Sequence, residues 1–256
     1  MSATRHILPR LAEENSRTSV GELPLSAVTR LGFWSGIWAA AMGVGFVLAA
    51  VVGAIAFPSP DWTGDVNAFA ASFKHPVAWS LGPTFSLLII PGWIGLAVAV
   101  HAYAPEEKRI FTRLALVLTA AYTTTVGAND IIQITTVRLN LEAGTTDGLA
   151  LWILDNPRSL FYPLEMLGYL WQSLAAPLVA LAFAGPGIER GIRWSFWAVA
   201  VSGVWGLGMV LLGLDFLNPV FVAGSAIWVA AFPLGTVLCA LVFRRLRWAG
   251  ESARVG

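Results

Sequence analysis

The chain has 256 residues, of which 57% are hydrophobic and 12% charged, with a formal charge of +1 and a mean hydropathy of +0.70. Soluble domains carry about 25% charged residues, so water is excluded as the main solvent for this surface, and the near-neutral balance argues against nucleic acid. One cysteine, Cys239, rules out a disulfide framework or thiolate metal site within the chain. His6, His75 and His101 are too scattered for a histidine metal cluster, and no cofactor is read from the residues.

Apolar runs of eighteen or more residues recur, as membrane-spanning helices require. The short alternating segments of a membrane β-barrel do not occur. The pattern predicts an all-α polytopic transmembrane bundle of six spans with both termini cytoplasmic. Residues 1–30 are polar, with Arg5, Arg10, Arg17 and Arg30 set against Glu13, Glu14 and Glu22, and read as a cytoplasmic tail rather than a signal peptide.

The first span, 31–57, contains Gly32-Phe-Trp-Ser-Gly36 and a small-residue row through Ala39, Gly43 and Ala50, suited to close helix packing. Pro58-Ser-Pro60 ends it, and 65–73 is expected to form a short interfacial helix. The second span, 77–103, holds Pro83 and Pro91-Gly92 and is expected to bend. After the charged turn 105–109, the third span, 110–137, carries Tyr122, Thr123 to Thr125, Asn129, Asp130 and Gln133 before Arg138. The loop 139–158 includes an apolar run, 149–154, too short to cross and read as interfacial or as a flap.

The fourth span, 159–184, contains Phe161-Tyr-Pro-Leu-Glu-Met-Leu-Gly-Tyr-Leu-Trp-Gln172. A basic turn, 185–193, leads to the fifth span, 194–214, which carries Ser202-Gly-Val-Trp-Gly206. Asp215 and Asn218-Pro219 mark a turn into the sixth span, 220–243, and Arg244-Arg-Leu-Arg247 opens a second cytoplasmic tail, 244–256. In this arrangement all but Lys74, Arg138 and Arg158 of the sixteen lysines and arginines fall on the cytoplasmic side. The positive-inside rule predicts that bias, and the bacterial inner membrane is the expected location.

Two stretches depart from the apolar pattern. Tyr162, Glu165, Tyr169 and Gln172 are spaced three, four and three apart and so share one helix face. Tyr122, Asn129, Asp130 and Gln133 supply a polar partner on the third span. A charged residue at the centre of a span costs roughly 2.5–3.5 kcal/mol on insertion scales, so Asp130 and Glu165 are candidate catalytic or functional residues. Asp130 precedes Arg138 by eight residues and Glu165 follows Arg158 by seven, so both lie roughly 10–12 Å inward from the outer surface at 1.5 Å per residue. Antiparallel spans joined by one loop are neighbours, so the two carboxyls are expected to meet. Away from water, at least one should carry a proton or find a partner.

Three roles suit such a site. The first is binding or transport of a small lipophilic or amphipathic molecule, with Tyr122, Asn129, Gln133, Tyr162, Tyr169 and Gln172 as binding residues. The second is intramembrane acid–base catalysis of the isomerase or cyclase type by Asp130 and Glu165. The third is a structural or partner-binding subunit in which these groups only fix helix register. The expected partners are the lipid bilayer and a lipophilic ligand, with a second copy or another membrane protein left open.

The hydropathy plan over 30–245, with Asn129-Asp-Ile-Ile-Gln133 and Leu164-Glu-Met-Leu-Gly-Tyr169, resembles an uncharacterised family of six-helix bacterial membrane proteins, known mainly as a domain of unknown function. The resemblance implies fold and location and supplies no mechanism.

Overall fold

The computed structural model describes residues 25–214 and 218–255, among which there is no strand. Residues 1–24, holding most of the expected tail, and Asp215 lie outside the described residues. The long helices are α1 (Leu25–Ala56), α3 (Pro76–Tyr103), α4 (Arg109–Ile132), α6 (Phe161–Ala180), α7 (Ile188–Leu211) and α8 (Pro219–Val255). Two short helices, α2 (Val66–Ser72) and α5 (Arg138–Glu142), lie in and before the long connections.

Each long helix packs against the next in sequence, and α8 returns to pack on α1, closing a ring. Antiparallel connection of consecutive helices explains the first five seams, two of them made through long connections. The sixth is made by small residues. A Cβ added at Gly36 would lie 2.7 Å from the Thr236 carbonyl oxygen, and one at Gly43 would lie 3.3 Å from the Pro233 ring. The Gly32–Gly36 row thus serves the α1–α8 contact inside one chain, the use of small residues that lipid favours where dispersion replaces the hydrophobic drive.

Among the described residues, five stretches are long and apolar enough to cross a membrane: Leu25–Ala56, Pro76–Tyr103, Glu106–Glu142, Ile188–Leu211 and Pro219–Ala249. The remaining long helix, α6, has 20 residues and spans about 30 Å at 1.5 Å per residue. Its tyrosines, Glu165, Gln172 and prolines dilute its hydropathy. Twelve of its twenty residues are buried, so its polar groups face protein, chiefly α4 and α7.

The helix α3 runs unbroken past both prolines. Pro91 leaves the Leu87 carbonyl without its helical donor, and its ring crowds that carbonyl. There the Trp38 indole of α1 donates to the Leu88 oxygen at 2.7 Å. A neighbouring helix thus supplies a donor beside the proline.

The third long helix does not stop near 137. After Ile132 it widens into a π-helical turn, Gln133–Val137, and continues through α5 to Glu142. Asn129, Gln133, Val137 and Leu141 are all buried and lie four apart, a spacing that drifts around a 3.6-residue helix. The wider turn keeps them on one face.

Aromatic rings fill the ring's interior. Trp93 of α3 meets Phe196 of α7 at 5.8 Å and Phe232 of α8 at 5.6 Å between ring centroids, and Phe232 stacks on Trp228 at 4.9 Å. One end of the bundle is capped by the connections 57–75 and 143–160. There Phe69, Leu149, Ile153, Val137 and Leu141 form a second core with Trp62, Phe73 and Trp79 at its edge. Asp65 caps α2 through the Asn67 amide at 2.8 Å, and the 3-10 turn Leu149–Leu151 forms part of the second connection. The opposite, basic end carries Arg109, Arg113, Arg190, Arg193, Arg244, Arg245 and Arg247.

Candidate functional site

Asp130 and Glu165 are 3% and 6% exposed, on the adjoining helices α4 and α6. Gly168, one turn beyond Glu165, permits that contact. A Cβ there would overlap the Val126 side chain and lie 3.4 Å from its backbone nitrogen. Close approach of the two backbones brings short polar side chains within reach of one another.

The Asn129 side-chain amide donates to the Glu165 carboxylate. The Ser86 hydroxyl of α3 bonds Asp130, and lies 3.1 Å from the Tyr169 hydroxyl of α6. Ser86 thus stands between Tyr169 and Asp130 and links three helices, with either hydroxyl of the Ser86–Tyr169 pair able to donate. The two carboxyls lie within electrostatic reach of each other, and the Tyr122 hydroxyl lies within reach of both. The Tyr122 and Tyr169 rings are 6.2 Å apart.

The cluster is not saturated. The Tyr122 hydroxyl, Asn129 Oδ1 and Asp130 Oδ2 are buried without a hydrogen-bond partner among the described residues. Such groups normally find partners, and leaving one unmet costs about 1–3 kcal/mol. Among the described residues, no arginine, lysine or histidine acts on either carboxyl. The site offers acceptors, one free hydroxyl and no built-in cation.

No family model, curated protein or solved structure matches this chain. The site's chemistry therefore rests on its own geometry.

Three of the sequence-selected residues hold other positions. Gln133 ties down the cap: its amide donates to the Trp152 carbonyl at 2.6 Å, and its oxygen accepts from the Leu154 amide at 3.3 Å. Gln172 sits deeper, accepting from the Trp228 indole at 3.0 Å, with its own Nε2 unpartnered. Tyr162 donates to the Leu214 carbonyl at 2.7 Å at the end of α7. Tyr122, Asn129, Asp130, Glu165 and Tyr169 are the five that come together, joined by Ser86. A single serine in the run Ser86-Leu-Leu-Ile-Ile90 gives no signal of that role in sequence.

Tyr162 has a second position of interest. It lines a cleft of about 250 Å³ at the capped end, with Arg158, Ser159, Pro163, Val210 and Leu214. Glu165 is one helical turn further on the same face of α6. On the other side, Tyr169 packs edge-on against Trp228 at 5.5 Å, and the stacked Trp228–Phe232 pair floors the cluster. The carboxyl pair lies between an open cleft and a closed aromatic floor.

Among the described residues, no group of three or more histidine, cysteine, aspartate or glutamate side chains is placed to hold a metal ion.

Proposed function

We propose that this is a six-span protein of a bacterial inner membrane that binds or transports a small lipophilic or amphipathic molecule, whose hydroxyl or amine reaches the carboxyl pair. Five stretches meet the length and hydropathy of a span. The sixth span is α6, carried across by its neighbours rather than by its own hydropathy. The clustering of arginines at one end supports placing that end in the cytoplasm and the capped end outside.

The observation that carries the functional reading is the unsaturated cluster. Two carboxyls on adjoining helices lie within electrostatic reach of each other, with Tyr122, Asn129 and Asp130 atoms left unpartnered among the described residues, one turn from a cleft at the capped end. Polar groups retained only to fix register would be expected to satisfy one another. A ligand donor would complete Asn129 Oδ1 and Asp130 Oδ2, and the aromatic floor suits an apolar body.

Co-purifying small molecules are to be extracted from the purified protein and identified by mass spectrometry. Asp130→Asn and Glu165→Gln variants are then compared with the wild type for binding and for uptake into proteoliposomes. The expected result is a bound amphipath whose affinity falls in both variants, with uptake by the wild type. Binding retained with turnover lost would instead favour acid–base catalysis. A protein that holds no small molecule, with both variants unchanged, would leave a structural role.

The topology is tested separately. With Cys239 replaced by alanine, cysteines at Thr145 and Ala184 should react with an impermeant thiol reagent from opposite sides. Labelling from the same side would overturn the six-span arrangement.

A further inference from the structure

At the basic end, Arg190, Arg193, Trp194 and Trp197 lie at helical spacing on one face of α7 and line a cleft of about 460 Å³. The order along the helix is polar to apolar: Arg190 stands in the first turn, Arg193 and Trp194 a turn further, and Trp197 another turn in. Trp194 and Trp197 are 73% and 52% exposed, on a helix apolar enough to cross a membrane. Indoles turned outward there face the interface between headgroups and acyl chains.

Neither arginine forms an ion pair with a described residue. Glu189, the nearest carboxylate in sequence, accepts from the Gly185 amide. Arg193 spends only Nη1 on the protein, donating to the Phe183 carbonyl at 2.7 Å and the Gly185 carbonyl at 3.1 Å. That clamp fixes the 183–185 turn and holds the guanidinium at the cleft, leaving its charge and further donors uncommitted. Arg190 is exposed beside it.

We infer that this cleft is a binding site for an anionic phospholipid, with the phosphate held by Arg190 and Arg193 and the upper acyl chain laid along Trp194 and Trp197. The guanidinium fork matches phosphate oxygens. Basic pockets beside membrane helices take anionic headgroups for the same reason. A soluble anion would use the arginines and leave both indoles idle, so the lipid fits both halves of the cleft. This site lies at the opposite end of the bundle from the carboxyl pair and is independent of its ligand.

The test is native mass spectrometry of delipidated protein titrated with phosphatidylglycerol or phosphatidylcholine of matched chains. Wild type should retain phosphatidylglycerol at least about tenfold more strongly, given about fivefold for each arginine near a lipid surface. Arg190→Gln, which removes no hydrogen bond or ion pair to a described residue, should cut that preference about fivefold with an unchanged melting temperature. A Trp194→Leu, Trp197→Leu double variant should lower retention of both lipids while keeping the ratio. Equal retention of the two lipids by the wild type, or an unaltered ratio in Arg190→Gln, would overturn the inference. Displacement of phosphatidylglycerol by millimolar inorganic phosphate would reassign the cleft to a soluble anion.

Discussion

The side-chain amide of Asn129 on α4 donates to the carboxylate of Glu165 on α6, joining residues 36 apart in sequence across the seam that Gly168 holds close. Hydrogen bonds between membrane helices average only about 0.6 kcal/mol, because unfolded helices in lipid also find partners. Removing one partner of a buried pair is a different matter, since the group left behind loses its donor outright. Asn129→Ala should therefore cost about 1–3 kcal/mol. Adding Glu165→Met to Asn129→Ala should return part of that loss. Unfolding of the four proteins of the cycle in mixed detergent measures the coupling, and strictly additive losses would show that the pair does not interact.

The same seam is sensitive to volume. Gly168→Ala would press a methyl into Val126, where the neighbouring atoms include backbone, and overpacking of this sort costs about 1–3 kcal/mol. Gly208 on α7 has nothing within 4 Å of an added Cβ, so Gly208→Ala should be neutral or stabilising by up to about 1 kcal/mol. Thermal unfolding of the two variants side by side checks this. If Gly168→Ala melted with the wild type, the helices would not be at their closest approach there. Because Gly168 sets the α4–α6 approach across which Asn129 meets Glu165, its substitution should also weaken any ligand bound at the carboxyl pair.

The helical class and the polar seam were legible because both depend on local pattern. Composition excluded a water-facing surface, and the spacing of Tyr162, Glu165, Tyr169 and Gln172 put them on one face before any partner was known. What sequence could not supply was the choice of partner for each polar group. Gln133 lies one turn beyond Asn129 on the same face, yet its side chain bonds the cap, and nothing in Gln133-Ile-Thr-Thr-Val137 announces the wider helix that opens there. Gln172 continues the stripe of α6 but meets Trp228 from α8, a contact made only when the ring closes. Ser86 was invisible for the same reason, since one hydroxyl in an apolar helix has meaning only beside Asp130 and Tyr169. The hydropathy of α6 reads weakly because its polar groups answer to protein rather than lipid.

The cap gives a prediction about Gln133. Its side chain satisfies one carbonyl and one amide of the segment 152–154, which has no regular ladder of its own. Gln133→Leu preserves bulk and removes both bonds, so the cap should loosen while the bundle stays folded. Faster hydrogen exchange or proteolysis confined to 143–160, at an unchanged helix content, is the expected result. Global unfolding would mean that the cap and the ring form one cooperative unit.

The cap also carries a pH dependence, set by Asp155. The Trp79 indole donates to its carboxylate at 2.9 Å, and Ser59 and the local backbone amide also act on it, all favouring the charged form. Burial outweighs them and pushes the carboxyl above its ordinary value of 3.8. The folded cap then binds a proton more tightly than the unfolded chain, so folding takes up a proton in the window between 3.8 and the raised value. This contribution is fully present below that window and is lost as pH rises through it. Protection of the 149–156 amides, corrected for intrinsic exchange, should therefore fall from acid toward neutral pH. Trp79→Phe removes a bond that favours the charged form, so it should raise the carboxyl further and extend the decline to higher pH. Asp155→Asn has no proton to exchange and should flatten the profile, whereas a wild-type profile already flat across the range would rule out Asp155 as its source.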